Sequence, residues 1–238
     1  MEKLQKKNRH TCMTRRMLIT GGCSFTVHEP VIPYLEDKKI VAWPRIVAYE
    51  LDMELVNLAE PGASNAFIEN ALTDAILKYK NENPVVMVLW SQPHRVNIND
   101  CFTDTNFKLD NYKHVKHMPV SIDDWPYTIA KASLRSMWRT QNLAKQFGLD
   151  YMHHLGCWRL NESRISILSE NTIYNQLQKD WYYKNLDFSM NEIEWGIVDW
   201  YKPVPGDGHP DQWSHHKLAE MFIDKYKRQT SKMEFIYE

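Results

Sequence analysis

Cysteine is scarce and scattered in this chain of 238 residues: Cys12, Cys23, Cys101 and Cys157 stand far apart, with no CxxC pair. That spacing argues against a disulfide framework and fits thiols kept reduced in a cytoplasm. No apolar run reaches about 18 residues, and no apolar stretch precedes the first strand, so a membrane span and a signal peptide are not expected. An excess of one charge is also missing. Twenty-nine Lys and Arg face 30 Asp and Glu, a formal net charge of −1, so no global field draws the chain to nucleic acid or to an anionic membrane. Basic residues gather only ahead of the first strand, at Lys3, Lys6, Lys7, Arg9, Arg15 and Arg16; they read as a solvated tail over 1–15 and its junction. There are no internal repeats and no low-complexity segments. Glycines number only eight, which makes the place of each more informative.

What is present is a core. Hydrophobic residues make up 43% of the chain and nine are tryptophans, enough for one domain spanning 1–238. Met17-Leu18-Ile19 is a continuous apolar run of the kind a doubly covered parallel sheet needs, and it leads into Gly21-Gly22-Cys23-Ser24. The pattern then predicts a helix over 40–51, with Trp43, Ile46, Val47 and Leu51 on one face and Pro44 in its first turn. A short strand follows at 55–58. The next helix carries Ile68, Ala71, Leu72, Ala75, Ile76 and Tyr79 as one stripe, with Ser64 or Asn65 as its cap. Val85 to Trp90 reads as a central strand, apolar throughout.

Residues 96–124 read as an irregular insertion. A helix opening at Asp123 or Asp124 turns Ile129, Ser133, Met137, Thr140, Ala144 and Phe147 inward and ends at Gly148. A fourth strand at 149–153 leads to a second insertion over about 155–190, rich in Trp, Tyr and Asn. After the loop 205–211, a last helix presents Leu218, Met221, Phe222 and Tyr226. This alternation predicts an α/β domain, a mainly parallel sheet between two helical layers, with two insertions.

Four loops would share the carboxyl edge of that sheet, where ligands bind in open α/β folds. Between them they hold what acyl transfer needs: a nucleophile, a base within reach, an acid to orient the base, and donors for an oxyanion. Ser24 can be the nucleophile, His209 the base and Asp207 the acid. The N–H groups of Ser24 and Gly62 can face the oxyanion, with a side-chain donor from Ser91. Cys23 is a competing thiol nucleophile, but a side chain adjacent to Ser24 on an extended segment points the other way. His153 and His154 with Cys157, or His209 with His215 and His216, have no zinc-ligand spacing, and no cofactor or metal is expected. His215 is read as packing in the first turn of the last helix.

The ordered set of blocks resembles the SGNH (GDSL-like) hydrolases. Gly-Gly-Cys-Ser-Phe-Thr at 21–26 resembles the family's first block, whose serine is the nucleophile. Asn-Leu-Ala-Glu-Pro-Gly-Ala-Ser-Asn at 57–65 resembles the second, whose glycine N–H helps form the oxyanion hole. Asp207-Gly208-His209-Pro210, with Ser214-His215 and Ala219 beyond, resembles the last block, which carries the Asp and His. The resemblance spans nearly the whole chain and implies a three-layer α/β/α, flavodoxin-like fold and a serine esterase. Two departures stand out. The family's Gly-x-Asn-Asp block is replaced by Trp90-Ser91-Gln92-Pro93-His94-Arg95, so Ser91 or Gln92 would stand in for the oxyanion Asn. Here the chain resembles a branch of the family, often met in phage and bacterial genomes, that carries Trp-Ser or Trp-Thr and an Arg at this place. The Asp also precedes the His by two residues rather than three, which leaves Asp211 or a carbonyl as alternative orienting groups.

The expected function is hydrolysis of an acyl ester by Ser24, His209 and Asp207, with an acetyl group on a carbohydrate as one substrate and Asn65 and Arg95 binding it. A salt bridge inside the insertion is the other reading of Arg95. Two other functions fit the same residues: a non-catalytic glycan-binding or virion structural module, and an O-acyltransferase. Trp158, Trp181, Tyr182, Tyr183 and Trp200 line a sugar-binding surface or pack the insertions. The expected partner is a small-molecule or glycan ester, with neither nucleic acid nor membrane, and the expected location is cytoplasmic or virion-associated.

Overall fold

The computed structural model of the protein describes residues 15–27, 40–91, 125–156, 179–186, 200–205 and 208–234. Arg95, Gln92 and Asp207 lie outside the described residues, as do all of 96–124 and most of the second insertion. Four strands form one sheet: β1 (Met17–Gly21), β2 (Glu54–Asn57), β3 (Val85–Trp90) and β4 (Asp150–Leu155). Every pairing is parallel and the spatial order is β2-β1-β3-β4. β1 and β3 are buried along their whole length while β2 is partly exposed, which is why the first two read as continuous apolar runs. The sheet is α/β in class, as its alternation predicts.

Between the strands run α1 (Trp43–Glu50), α2 (Asn65–Tyr79) and α3 (Trp125–Gln146); α4 (Trp181–Lys184) is a single turn and α5 (Gln212–Glu234) closes the described chain. The connection from β1 to β2 moves one way along the sheet, whereas those from β2 to β3 and from β3 to β4 move the other way. Right-handed crossovers then set α1 on one face and α2 with α3 on the opposite face. The packing follows that division: α1 lies against α5, and α2 against α3. Trp43 of α1 stacks on Phe222 of α5 with centroids 4.3 Å apart, both side chains fully buried.

Helix ends match their sequence signals. Ser64, not Asn65, is the N-cap of α2; its hydroxyl accepts from the Phe67 N–H at 3.1 Å. Gly148 and Leu149 donate to Lys145 and Ala144 carbonyls and close α3 in a Schellman turn. α1 starts at Trp43 rather than at 40, because Pro44 prefers a helix's first turn and Ala42 stays extended. The basic stretch departs from expectation at its end. Arg16 is half-buried and fastened to the sheet: it pairs with Asp150 at 2.8 Å and donates to the Asn83 carbonyl and the Tyr226 hydroxyl, tying β1, β4 and α5 together. Among the described residues no helix is long and apolar enough to cross a membrane.

Candidate active site

The strand order reverses direction between β1 and β3, and the carboxyl ends of those two central strands mark the topological switch point of the sheet. Ser24 and Ser91 follow those two ends. Ser24 sits in a turn closed by the Thr26 N–H donating to the Cys23 carbonyl at 2.8 Å. It is 7% exposed, and Cys23 beside it is fully buried.

Three polar side chains hold this turn. Thr20, at the end of β1, donates its hydroxyl to Asn57 Oδ1 at 2.9 Å. Asn57 Nδ2 donates to the Thr26 carbonyl at 2.9 Å, and its Oδ1 also accepts from the Ala59 N–H. Thr26 Oγ1 in turn accepts from the indole N–H of Trp43 at 3.3 Å. Buried polar groups must pair, and here the pairs all converge on the serine turn. Gly22 completes it by leaving space: a Cβ there would stand 2.1 Å from Thr26 Oγ1 and 3.0 Å from the Leu89 carbonyl oxygen. The sequence reading missed Thr20, Thr26 and Asn57 as positioning groups. The signal was available, since Thr20 and Asn57 lie near the ends of two strands whose inner residues are apolar.

The same backbone zips the Gly62 loop to the turn. Leu58 donates to the Thr20 carbonyl at 2.9 Å and Glu60 to the Gly22 carbonyl at 3.3 Å. Gly62 itself adopts φ +76°, a conformation that a side chain would strain.

Asn65, expected to bind substrate, reaches from the start of α2 to the end of β3. Its Oδ1 accepts from the Ser91 N–H at 2.8 Å, its Nδ2 donates to the Ser91 carbonyl at 3.0 Å, and it is 1% exposed. The amide is a clamp between the first turn of α2 and the end of β3. Ser91 is buried, with its main-chain N–H and C=O both used in this clamp.

His209 arrives on a hairpin in which 200–204 runs antiparallel to 208–211. The Val204 N–H donates to the His209 carbonyl at 2.7 Å, the Asp211 N–H to the Lys202 carbonyl at 2.8 Å, and Pro203 bridges to Pro210. The imidazole is half-buried and meets the ring of Phe25 edge-on, with centroids 5.6 Å apart. Phe25 directly follows Ser24, so the serine turn and the histidine hairpin are in contact. Tyr201 touches the same Phe25 ring at 5.5 Å and donates to the Gly208 carbonyl.

No protein-family model matches the chain, and no curated protein matches it. Solved structures similar to it include a Bacillus subtilis protein, YXIM, at 20% identity. That match covers 91% of this chain and 57% of the other, with a TM-score of 0.46. A crystal structure of TesA matches at 14% identity over 86% of this chain and 94% of that one, with a TM-score of 0.49. A catalytic mutant of Axe2, an acetylxylan esterase from Geobacillus stearothermophilus, matches at 14% identity over 89% and 95%, with a TM-score of 0.46. The chain thus spans little more than half the length of the first of these.

Asp211 is engaged in capping. One carboxylate oxygen accepts from both the N–H (2.8 Å) and the hydroxyl (2.7 Å) of Ser214, at the start of α5. His215, one turn into that helix, is 1% exposed and takes the Trp43 N–H on Nδ1 at 3.3 Å. Burial pushes its imidazole down to about 4, opposed by the nearby Asp211 carboxylate and assisted by His216 and His209. It therefore stays neutral at neutral pH and serves packing, as its sequence position suggests.

Proposed function

We propose that the chain is a serine esterase that hydrolyses acyl esters at the β1/β3 switch point. Ser24 is the nucleophile and His209 the general base, with Asp207 orienting the imidazole. The Ser24 hydroxyl attacks the ester carbonyl carbon while its proton passes to His209. The resulting oxyanion is held by the N–H groups of Ser24 and Gly62, with a side-chain donor from Ser91 or Gln92; each such donor contributes about 3 kcal/mol. Collapse expels the alcohol, which takes the proton from the imidazolium, and leaves an acyl-serine. A water activated by His209 then attacks that ester, releasing the acid and restoring Ser24. An acetyl group on a carbohydrate is the substrate class that fits this reading.

One observation carries the proposal. Phe25, the residue after Ser24, is in ring contact with His209, so a turn at the end of β1 meets a hairpin whose histidine lies 184 positions further along the chain. Proton transfer requires about 3 Å between the two reacting groups, and the Phe25–His209 contact supports the reading that they approach each other.

Fluorophosphonate labelling with mass-spectrometric mapping tests it. An adduct on Ser24, abolished in Ser24→Ala and accompanied by loss of at least about 10⁴-fold in turnover of a short acetyl ester, is the expected result. No adduct in protein shown to be folded would overturn the esterase reading in favour of a non-catalytic glycan-binding module.

A further inference from the structure

The hairpin that carries His209 also carries a feature that ester hydrolysis does not use. Trp200 and Trp213 meet edge-to-face with centroids 6.2 Å apart, and Trp213 is 44% exposed. Two ammonium groups lie over these rings. Lys202 Nζ is 4.4 Å from the Trp213 centroid, and Lys217 Nζ is 4.6 Å from that of Trp200 and 5.1 Å from that of Trp213. Among the described residues no carboxylate pairs with either lysine. The backbone beneath is fixed: the Lys202 N–H donates to the Ser214 hydroxyl at 2.7 Å and the Lys202 carbonyl accepts the Asp211 N–H.

An exposed cation over an indole is weakly held, and a carboxylate is a better partner for it. An anion that draws the two ammonium groups aside leaves flat indole faces on which a sugar ring can stack. We propose that Trp200, Lys202, Trp213 and Lys217 form a subsite for an acidic polysaccharide, a chain with about one carboxylate per one or two sugars. The inference rests on the esterase reading only for what it presents the chain to, since Tyr201 and His209 of the same hairpin reach Phe25 beside Ser24. Two cations on a protein of net charge −1 suit that charge density better than the dense phosphates of a nucleic acid.

Isothermal titration of the full chain with polygalacturonate, hyaluronan and polysialic acid tests the subsite, with neutral amylose and oligothymidylate as comparators. At least one acidic polysaccharide is expected to bind, and less tightly as salt rises. Lys202→Gln with Lys217→Gln, and separately Trp213→Ala, should each weaken it by about tenfold or more, with folding checked by circular dichroism. Ser24→Ala should bind as the wild type does. Binding to none of the three acidic chains overturns the proposal, as does equal binding of amylose or tighter binding of oligothymidylate. Binding without a Ser24 adduct sinks the esterase reading alone, and an adduct without binding sinks the subsite alone.

Discussion

The serine turn and the histidine hairpin meet at Phe25 but are held in different ways. The turn is fastened from outside itself, by Thr20 and Asn57 at two strand ends, by Trp43 of α1, and by the backbone of the Gly62 loop. The hairpin is fastened mostly to itself, through Val204 to His209, Asp211 to Lys202 and Tyr201 to Gly208, on a more exposed surface. Buried, cross-element hydrogen bonds are costly to break because the abandoned partner cannot find water, whereas exposed local ones exchange with solvent at small net cost. The Ser24 side is thus fixed by the core and the His209 side by its own ladder.

Substitutions on the two sides should separate accordingly. Gly22→Ala should have the largest effect, about 3 to 4 kcal/mol of lost stability by urea unfolding, because Thr26 Oγ1 and the Leu89 carbonyl both occupy the space of the new methyl. A loss under about 1 kcal/mol would mean the turn yields easily and would erase the contrast.

Next comes acid. The unfolded chain protonates His215 near 6.5, while the folded chain does so only near 4. This contribution to stability is therefore complete above about pH 6.5 and falls as pH drops toward 4, by up to about 3 kcal/mol. His215→Asn keeps an acceptor for the Trp43 N–H, and its stability should fall less steeply across that window. Identical pH profiles for variant and wild type would remove His215 as the cause.

Asn57→Ala strips three hydrogen bonds from the serine turn and should cost about 2 kcal/mol, together with slower fluorophosphonate labelling of Ser24. Unchanged labelling would deny Asn57 its positioning role. Asp211→Ala should cost least, about 1 kcal/mol, the usual loss for an N-cap. If the Asp211 variant proved the more damaging of the two, the hairpin would be the more tightly held side.

Much of the frame was legible because it depends on local pattern. Apolar runs at Met17–Ile19 and Val85–Trp90 could only be buried strands, and the 3.6-residue stripe from Ile68 to Ile76 could only be a helix packed on one face. The site was legible in part. Ser24, Gly62 and His209 stand out as loop residues at element ends, but Asn65 looked like a ligand-binding amide and Asp211 like a spare acid. Each instead bonds near its own helix start, Asn65 across to Ser91 and Asp211 to Ser214. Short polar side chains at such positions have both uses open to them, and only the neighbours decide between them.

What the sequence alone determined, then, is the order of elements, the burial of the central strands and the alternation that demands a parallel sheet, all of them consequences of hydrophobic period and turn chemistry. Tertiary structure decided which polar groups meet. The Thr20–Asn57–Thr26 network, the Asn65–Ser91 clamp, the Phe25–His209 contact and the lysine-topped tryptophan pair join residues from separate elements. No local pattern encodes such pairs. They exist because the sheet order β2-β1-β3-β4 brings the ends of β1, β2 and β3 side by side and the packing of α5 on α1 sets the histidine hairpin over them.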